Sequence, residues 1–195
     1  MATVTGGVRA TRPANTGITS AGTGVRLSPL ESRTLTRLQG ELRDDKVESI
    51  YVIGANGEVL YQNSGDAGHV SIAGDGMRMM NNKIHLHNHP SGRGMESVSF
   101  SRGDLLTSIK GNAKTMRVMT AKYLYILDRP KRGWGTIEAG RAAHDKFTKS
   151  TWDKVDRLTE RKKVSHETIN NLFDHHIFKG LAKEYKTRYK RILIK

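Results

Sequence analysis

The chain has 195 residues, with 33 Lys and Arg against 19 Asp and Glu, a net charge of +14 and no cysteine. The missing thiols exclude disulfide-stapled scaffolds, zinc ribbons, iron–sulfur clusters and cysteine catalysis, so a metal site must use His, Asp or Glu. The charge points to an anionic partner such as nucleic acid or an acidic protein.

The first segment of the chain differs in composition from the remainder. Residues 1–27 are rich in Thr, Gly and Ala, contain no acidic residue and show no apolar period, which predicts a disordered basic arm. Ser28-Pro29-Leu30-Glu31 is a capping box with proline at the first helical position. Apolar residues at helical spacing then predict a helix that ends near Arg43: Leu35, Leu38 and Leu42.

A β-hairpin is predicted next. The run from Val47 to Ile53 is β-rich, Asn56-Gly57 is a typical hairpin turn, and Val59 to Tyr61 returns. The remaining elements predicted up to residue 128 are a short helical turn at 77–80, a strand at 84–89, a helix at 102–110 and strands at 116–119 and 123–127. No run is long and apolar enough to cross a membrane, so no membrane partner is expected.

The last third of the chain, residues 129–195, is predicted to be a basic helical extension. It holds 18 basic and 8 acidic residues, so +10 of the +14 charge lies there. Near its end, basic residues alternate with Tyr185 and Tyr189, which is typical of a surface that follows phosphates and stacks bases. A solvated basic helix with buried tyrosines is an equal alternative. The predicted nucleic-acid-binding residues are Lys183, Lys186, Arg188, Lys190 and Arg191.

The segment that carries chemistry is His85-Leu86-His87-Asn88-His89 followed by Pro90-Ser91-Gly92. Histidines at alternate positions of a strand point to one face. Two imidazoles there can bind one metal ion, and Asp104, in the first turn of the next helix, is the natural third ligand. Ser101 would then lie at the mouth of the site.

A purely structural interpretation stands beside this one. Ser101-Arg102-Gly103-Asp104 is close to a capping box, and Phe100 and Leu105 occupy the hydrophobic-staple positions. Ser101 and Asp104 would then only begin a helix.

The pattern His87-Asn88-His89-Pro90-Ser91-Gly92, followed by Ser101 and Asp104, resembles the JAB/MPN (JAMM) metalloprotease superfamily. The sequence of this motif most resembles the RadC-like branch and the JAB-like domains of phage head-morphogenesis (MuF-type) proteins. The resemblance covers residues 47–127. It implies an α/β fold in residues 28–128, with a mixed sheet flanked by helices. Fourteen residues separate His89 from Asp104, more than the family commonly has.

The resemblance also implies roles for individual residues. His87, His89 and Asp104 match the zinc ligands, Ser101 matches the serine that stabilises the oxyanion, and Glu48 matches the catalytic glutamate. The implied activity is hydrolysis of a peptide or isopeptide bond in a protein or peptide substrate, in the cytoplasm of a bacterium or of a phage-infected cell, or on the virion.

Several alternatives remain open at this point. Glu58 is the rival glutamate, and His85 is either packed or beside the ligands. His69 either lines the cleft or lies on the surface, whereas His175 and His176 favour core or surface positions. A non-catalytic virion or nucleic-acid-binding module is the second functional hypothesis. The contiguous His87-Asn88-His89 argues against an HNH nuclease, and the missing cysteines argue against a zinc deaminase.

Overall fold

The computed structural model describes residues 24–90, 98–160 and 166–194. Residues 1–23 of the predicted arm, and residues 91–97 of the predicted loop, lie outside the described part. Over the described residues the chain forms an α/β fold with one six-stranded mixed sheet. No helix in these ranges is long and apolar enough to cross a membrane.

The elements in chain order are α1 (Pro29–Leu42), β1 (Ser49–Ile53), β2 (Val59–Ser64), α2 (Gly74–Met79), β3 (Ile84–Asn88), α3 (Arg102–Lys110), β4 (Thr115–Met119), β5 (Tyr123–Asp128), α4 (Ile137–Glu160), α5 (His166–Glu184) and β6 (Tyr189–Leu193). The strand order is β2-β1-β3-β4-β5-β6. Only β3 and β4 run parallel, because the crossover through α3 joins them, and the other neighbours are antiparallel.

Local signals explain the first elements. The Ser28 hydroxyl accepts a hydrogen bond from the Glu31 amide while the Glu31 carboxylate accepts one from the Ser28 amide, so the predicted capping box begins α1. At the hairpin turn Gly57 has φ +78°, and a Cβ there would lie 2.7 Å from the Leu30 carbonyl oxygen. The turn therefore needs glycine both for its backbone and for its contact with α1.

The sheet has two differently covered faces. We call the histidine face the one that carries residues 85 and 87, and the opposite face the one that carries residues 84 and 86. On the histidine face, α3, α4 and α5 cover a large core that includes Phe100, Tyr125 and Phe178. On the opposite face, α1 packs on β1 and β3 through Leu38 and Leu86. The sheet is thus the middle layer of three.

The C-terminal segment departs from its prediction. Residues 189–193, expected to continue a helix, form β6 and pair with β5 in the register Leu124↔Ile192. The reason is tertiary: β5 offers an unpaired strand edge, and Ile192 packs into the core of the opposite face. The cores on both sides of the sheet therefore include residues from before and after position 128.

Candidate metal centre

Strand β3 and the residue that follows it direct three imidazoles to the histidine face. His85, His87 and His89 are each at most 5% exposed. The rings of His85 and His87 stack with centroids 5.1 Å apart, and those of His87 and His89 meet edge to face at the same separation. The period of two along a strand produces this row.

Glu48 reaches the same place from the neighbouring strand. Ile50 pairs with His87 across β1 and β3, so Glu48, two residues earlier, lies opposite His89. Glu48, His87 and His89 are all buried, and each has a ligand atom within 4.8 Å of the others'. This group could hold a metal ion.

The backbone around Glu48 is fixed on both sides. Its amide donates to the Asp66 carbonyl at 2.7 Å, and its carbonyl accepts from the Gly65 amide at 2.8 Å. The side chain of Asn88, which is fully buried, accepts from the Ser49 amide at 2.7 Å and donates to the Val47 carbonyl at 2.9 Å. Asn88 thus holds the residues immediately before and after Glu48.

Asp104 approaches the histidines from α3. Its Oδ1 lies 3.2 Å from His87 Nε2 and its Oδ2 lies 3.9 Å from His89 Nε2. Asp104 Oδ2 also accepts from the Ser101 amide at 2.7 Å, and Ser101 Oγ accepts from the Asp104 amide at 3.1 Å. The capping box and the contact with the histidines therefore coexist, so the two interpretations of Asp104 do not compete.

The hydrogen bonds of the histidines fit a metal ligand set. His89 Nδ1 lies 3.2 Å from the Val98 carbonyl, which can only accept, so this nitrogen carries the hydrogen and Nε2 keeps its lone pair. Both ring nitrogens of His87 are buried. Nε2 faces Asp104 Oδ1 at 3.2 Å, and Nδ1 lacks a hydrogen-bond partner among the described residues. Metal-binding histidines commonly have one nitrogen fixed by a carbonyl and the other directed at the ion.

The charges of the site depend on one another. Burial raises the pKa of Glu48, although nearby His87 acts in the other direction. Burial also acts to raise the pKa of Asp104, but His87 outweighs it and the pKa of Asp104 falls below its ordinary value. For His87, burial lowers the pKa while Asp104 and Glu48 raise it, and the net change is upward. Glu48 is therefore the more basic of the two carboxylates.

The two outer histidines are held neutral. Burial, with His87 adding to it, lowers the pKa of His85 to about 3 and that of His89 to about 4. His85 Nδ1 lies 2.8 Å from the Ser108 hydroxyl, whereas His85 Nε2 is buried without a partner among the described residues. A neutral imidazole is the form in which histidine binds metal.

A cleft of about 230 Å³ opens beside this group. Its lining includes the polar side chains of Glu48, His85, His87 and Asp104. The exposed His69 also lines this cleft. Its backbone amide donates a hydrogen bond to the Asp66 side chain at 2.9 Å. The interpretation of His69 as a cleft residue is thus the one that the geometry favours.

Other predicted residues lie elsewhere. Glu58 is exposed at the hairpin turn and is not part of the group of potential metal ligands found among the described residues. His175 Nδ1 lies 2.8 Å from the Tyr189 hydroxyl, and that hydroxyl lies 3.0 Å from Ser99 Oγ. Sequence reasoning missed this link between the C-terminal segment and the residues before α3. Alternating β-branched residues at 192 and 194 were the available signal for a strand.

The predicted nucleic-acid-binding residues divide into two groups. Arg188 forms an ion pair with the buried Asp128 at 2.6 Å, and the Arg191 guanidinium lies 4.7 Å from the centre of the Tyr123 ring. Both therefore contact β5 of the sheet. Lys183 and Lys186 are exposed, and Lys190 is partly exposed.

Comparisons of this chain with protein-family models, with curated proteins and with solved structures found no match.

Proposed function

We propose that this chain is a zinc-dependent hydrolase of the JAB/MPN type that cleaves a peptide or isopeptide bond. The observation that carries the proposal is the buried group of Glu48, His87 and His89, within 4.8 Å of one another, with Asp104 against both histidines. An all-nitrogen-and-oxygen donor set with two imidazoles suits zinc. When bound, zinc acidifies a water molecule to a pKa of roughly 7 and polarises the carbonyl under attack.

The two carboxylates take different roles in this proposal. Asp104 is the third ligand, since it already contacts both histidines and its depressed pKa keeps it ionised. Glu48 is the general base, because burial raises its pKa and brings it nearer the range in which a carboxylate accepts and returns a proton. Glu48 would take the proton of the attacking water and deliver it to the leaving nitrogen.

Ser101 has the supporting role of donating to the oxygen that becomes negative. Its Oγ accepts from the Asp104 amide, which leaves the hydroxyl hydrogen available for donation. Removing one such donor typically lowers turnover by about 10²–10³.

Metal analysis and two isosteric variants test these roles. Untagged protein should hold about one zinc per chain, as a single set of three protein ligands with one position left for water predicts. It should also cleave members of a peptide library or of a matched library of lysine ε-linked isopeptides, with products read by mass spectrometry. Glu48→Gln should keep the zinc and lower turnover by about 10²–10⁴, whereas Asp104→Asn should lose the zinc. Glu58→Gln, at the exposed turn, is the control and should change neither.

The outcomes separate the possibilities. Protein that binds no zinc contradicts the proposal as a whole. Zinc lost from Glu48→Gln but kept in Asp104→Asn would exchange the roles of the two carboxylates. Zinc bound without cleavage in either library would favour a non-catalytic module.

A second candidate function is contact with nucleic acid through the C-terminal segment. The exposed Lys183 and Lys186, together with the concentration of charge after residue 129, support it. The two functions are compatible, because a basic surface would localise a hydrolase.

A further inference from the structure

The residues that line the cleft beside the candidate metal centre are of two chemical kinds. Glu48, His87 and Asp104 are among the polar ones, and aliphatic and thioether side chains form an apolar wall, namely Ile50, Val70, Ile72 and Met77. Val70, Ile72 and Met77 are each partly exposed, so these side chains present apolar surface that the described residues do not cover.

The apolar wall is held rigidly. Ile72 packs on a cluster of Val52, Met80 and Ala113. A Cβ on Gly76 would come within 2.8 Å of both Ile72 and Tyr61, so α2 lies directly against this wall. The loop that carries Val70 is tied to β2, because the Asn63 side chain donates to the Ser71 carbonyl at 2.9 Å. Such a preformed wall accepts an apolar group without first having to be ordered.

Size limits what the cleft can accept. Its volume of about 230 Å³ is below the roughly 300–1,000 Å³ of pockets that enclose drug-sized ligands. One aliphatic side chain fits these dimensions. His85 Nε2 is already shielded from solvent, so an apolar occupant would remove no further water from it.

We propose that this apolar wall is a specificity subsite for one aliphatic side chain, attached to the acyl group whose carbonyl lies at the metal. The proposal rests on the proposed function, since it needs a metal ion at the candidate metal centre. It adds a substrate class, namely acyl groups that carry a Leu-, Ile- or Met-like side chain beside the bond that is cut.

Acyl hydroxamates test the subsite without a known substrate. Acetohydroxamate, 4-methylpentanohydroxamate and succinate monohydroxamate share one zinc-chelating head and differ only in their tails. Titrated calorimetrically into zinc-loaded full-length protein, the branched aliphatic compound should bind roughly tenfold more tightly than acetohydroxamate, as expected for burial of most of one Leu-sized side chain. The charged tail should give no gain.

Near-isosteric polar substitutions locate the gain. Val70→Thr combined with Met77→Gln keeps the shape of the wall and removes its apolar character, so the gain from the aliphatic tail should fall to about twofold or less. Acetohydroxamate should bind this variant as it binds the native chain. Met79→Gln is the matched control, because Met79 lies on the same short helix, is 42% exposed and does not line the cleft.

Each result decides one question. Equal affinities for the three hydroxamates, or a gain that survives Val70→Thr with Met77→Gln, would overturn the subsite while the metal centre stands. Failure of the native chain to bind zinc or acetohydroxamate would overturn the proposed function, and the subsite with it.

Discussion

The two faces of strand β3 differ in what their side chains contact. On the histidine face, His85 Nε2 and His87 Nδ1 are buried without a hydrogen-bond partner among the described residues. On the opposite face, Leu86 packs into the core under α1, and the amide group of Asn88 is hydrogen-bonded on both its oxygen and its nitrogen. One face therefore leaves polar groups available for a ligand, and the other supplies the packing that holds them. Burying polar groups without partners is costly, so the histidine face lowers the stability of the metal-free fold and the packing on the opposite face raises it.

Acidification should have the largest effect on the stability of the metal-free protein, and this effect should come from the histidine face. In metal-free protein His85 and His89 have pKa values of about 3 and 4, against about 6.5 in the unfolded chain. Between pH 6.5 and 4, His85 and His89 bind protons in the unfolded state but stay neutral in the folded state, so the free energy of unfolding falls as the pH falls. His87, whose pKa is raised, acts above pH 6.5, where its stabilising charge is lost. Metal-free protein should thus be most stable near pH 6.5, as urea titrations across pH will show.

The matched variant for this prediction is His85→Leu, which removes one titrating group and keeps the site's other residues. Its stability should fall less steeply between pH 6.5 and 4 than that of the native chain. Identical slopes for the two proteins would show that His85 does not oppose folding in acid.

The packing on the opposite face is tested by Leu86→Ala. Leu86 is fully buried, so the substitution should lower the free energy of unfolding by about 2–5 kcal/mol. The folded fraction should still bind about one zinc per chain, unlike His87→Ala, which should bind none. Zinc lost from folded Leu86→Ala would mean that the two faces are not separable.

Asn88 is the exception that joins the faces, since it points away from the histidines yet holds the backbone beside Glu48. Asn88→Ala should lower the free energy of unfolding by about 1–3 kcal/mol, because it leaves buried backbone groups unpaired. It should also lower turnover by about tenfold, the scale on which outer-shell partners act. In a Glu48→Ala background this second effect should vanish. If it persists there, Asn88 acts on the whole sheet and not through Glu48.

The smallest effect on the fold is expected from the C-terminal lysines. Lys183→Ala with Lys186→Ala should change stability by no more than about 0.5 kcal/mol, because both side chains are exposed. If the segment binds DNA, the slope of log affinity against log salt should become shallower by about 2. Arg188→Ala, by contrast, should destabilise the fold, since Asp128 would be left buried without its cation. Binding with the native salt slope in the double variant would remove these lysines from the interface.

Local signals predicted much of this fold. The capping box at Ser28, the turn at Gly57 and the helix over 102–110 need only neighbouring residues, and the structure has all three. β6 could not be predicted in the same way, because its basic residues continue the charged pattern of the preceding helix, and only the edge of β5 makes the segment a strand. Local signals thus predict an element well only when its partners are close in sequence.

The candidate site likewise has features that local sequence patterns predict and features that depend on contacts between distant residues. The row of histidines follows from strand geometry, and Asp104 from a single helical turn. The clamp by Asn88 joins residues 39 and 41 positions apart, and the Tyr189 contact with Ser99 joins residues 90 apart. No local sequence pattern predicts contacts between residues so far apart in the chain, so these contacts become visible only in the assembled sheet.

The pairing of β6 with β5 also has a consequence for the order in which the protein is made. Synthesis proceeds from the N-terminus, so the histidines and Asp104 leave the ribosome well before Tyr189 does. Until β6 is in place, Ser99 lacks its tyrosine partner, β5 has an open edge and Asp128 lacks Arg188. The nascent chain should therefore complete the packing around Ser99, β5 and Asp128 only after nearly all of the described residues have been translated.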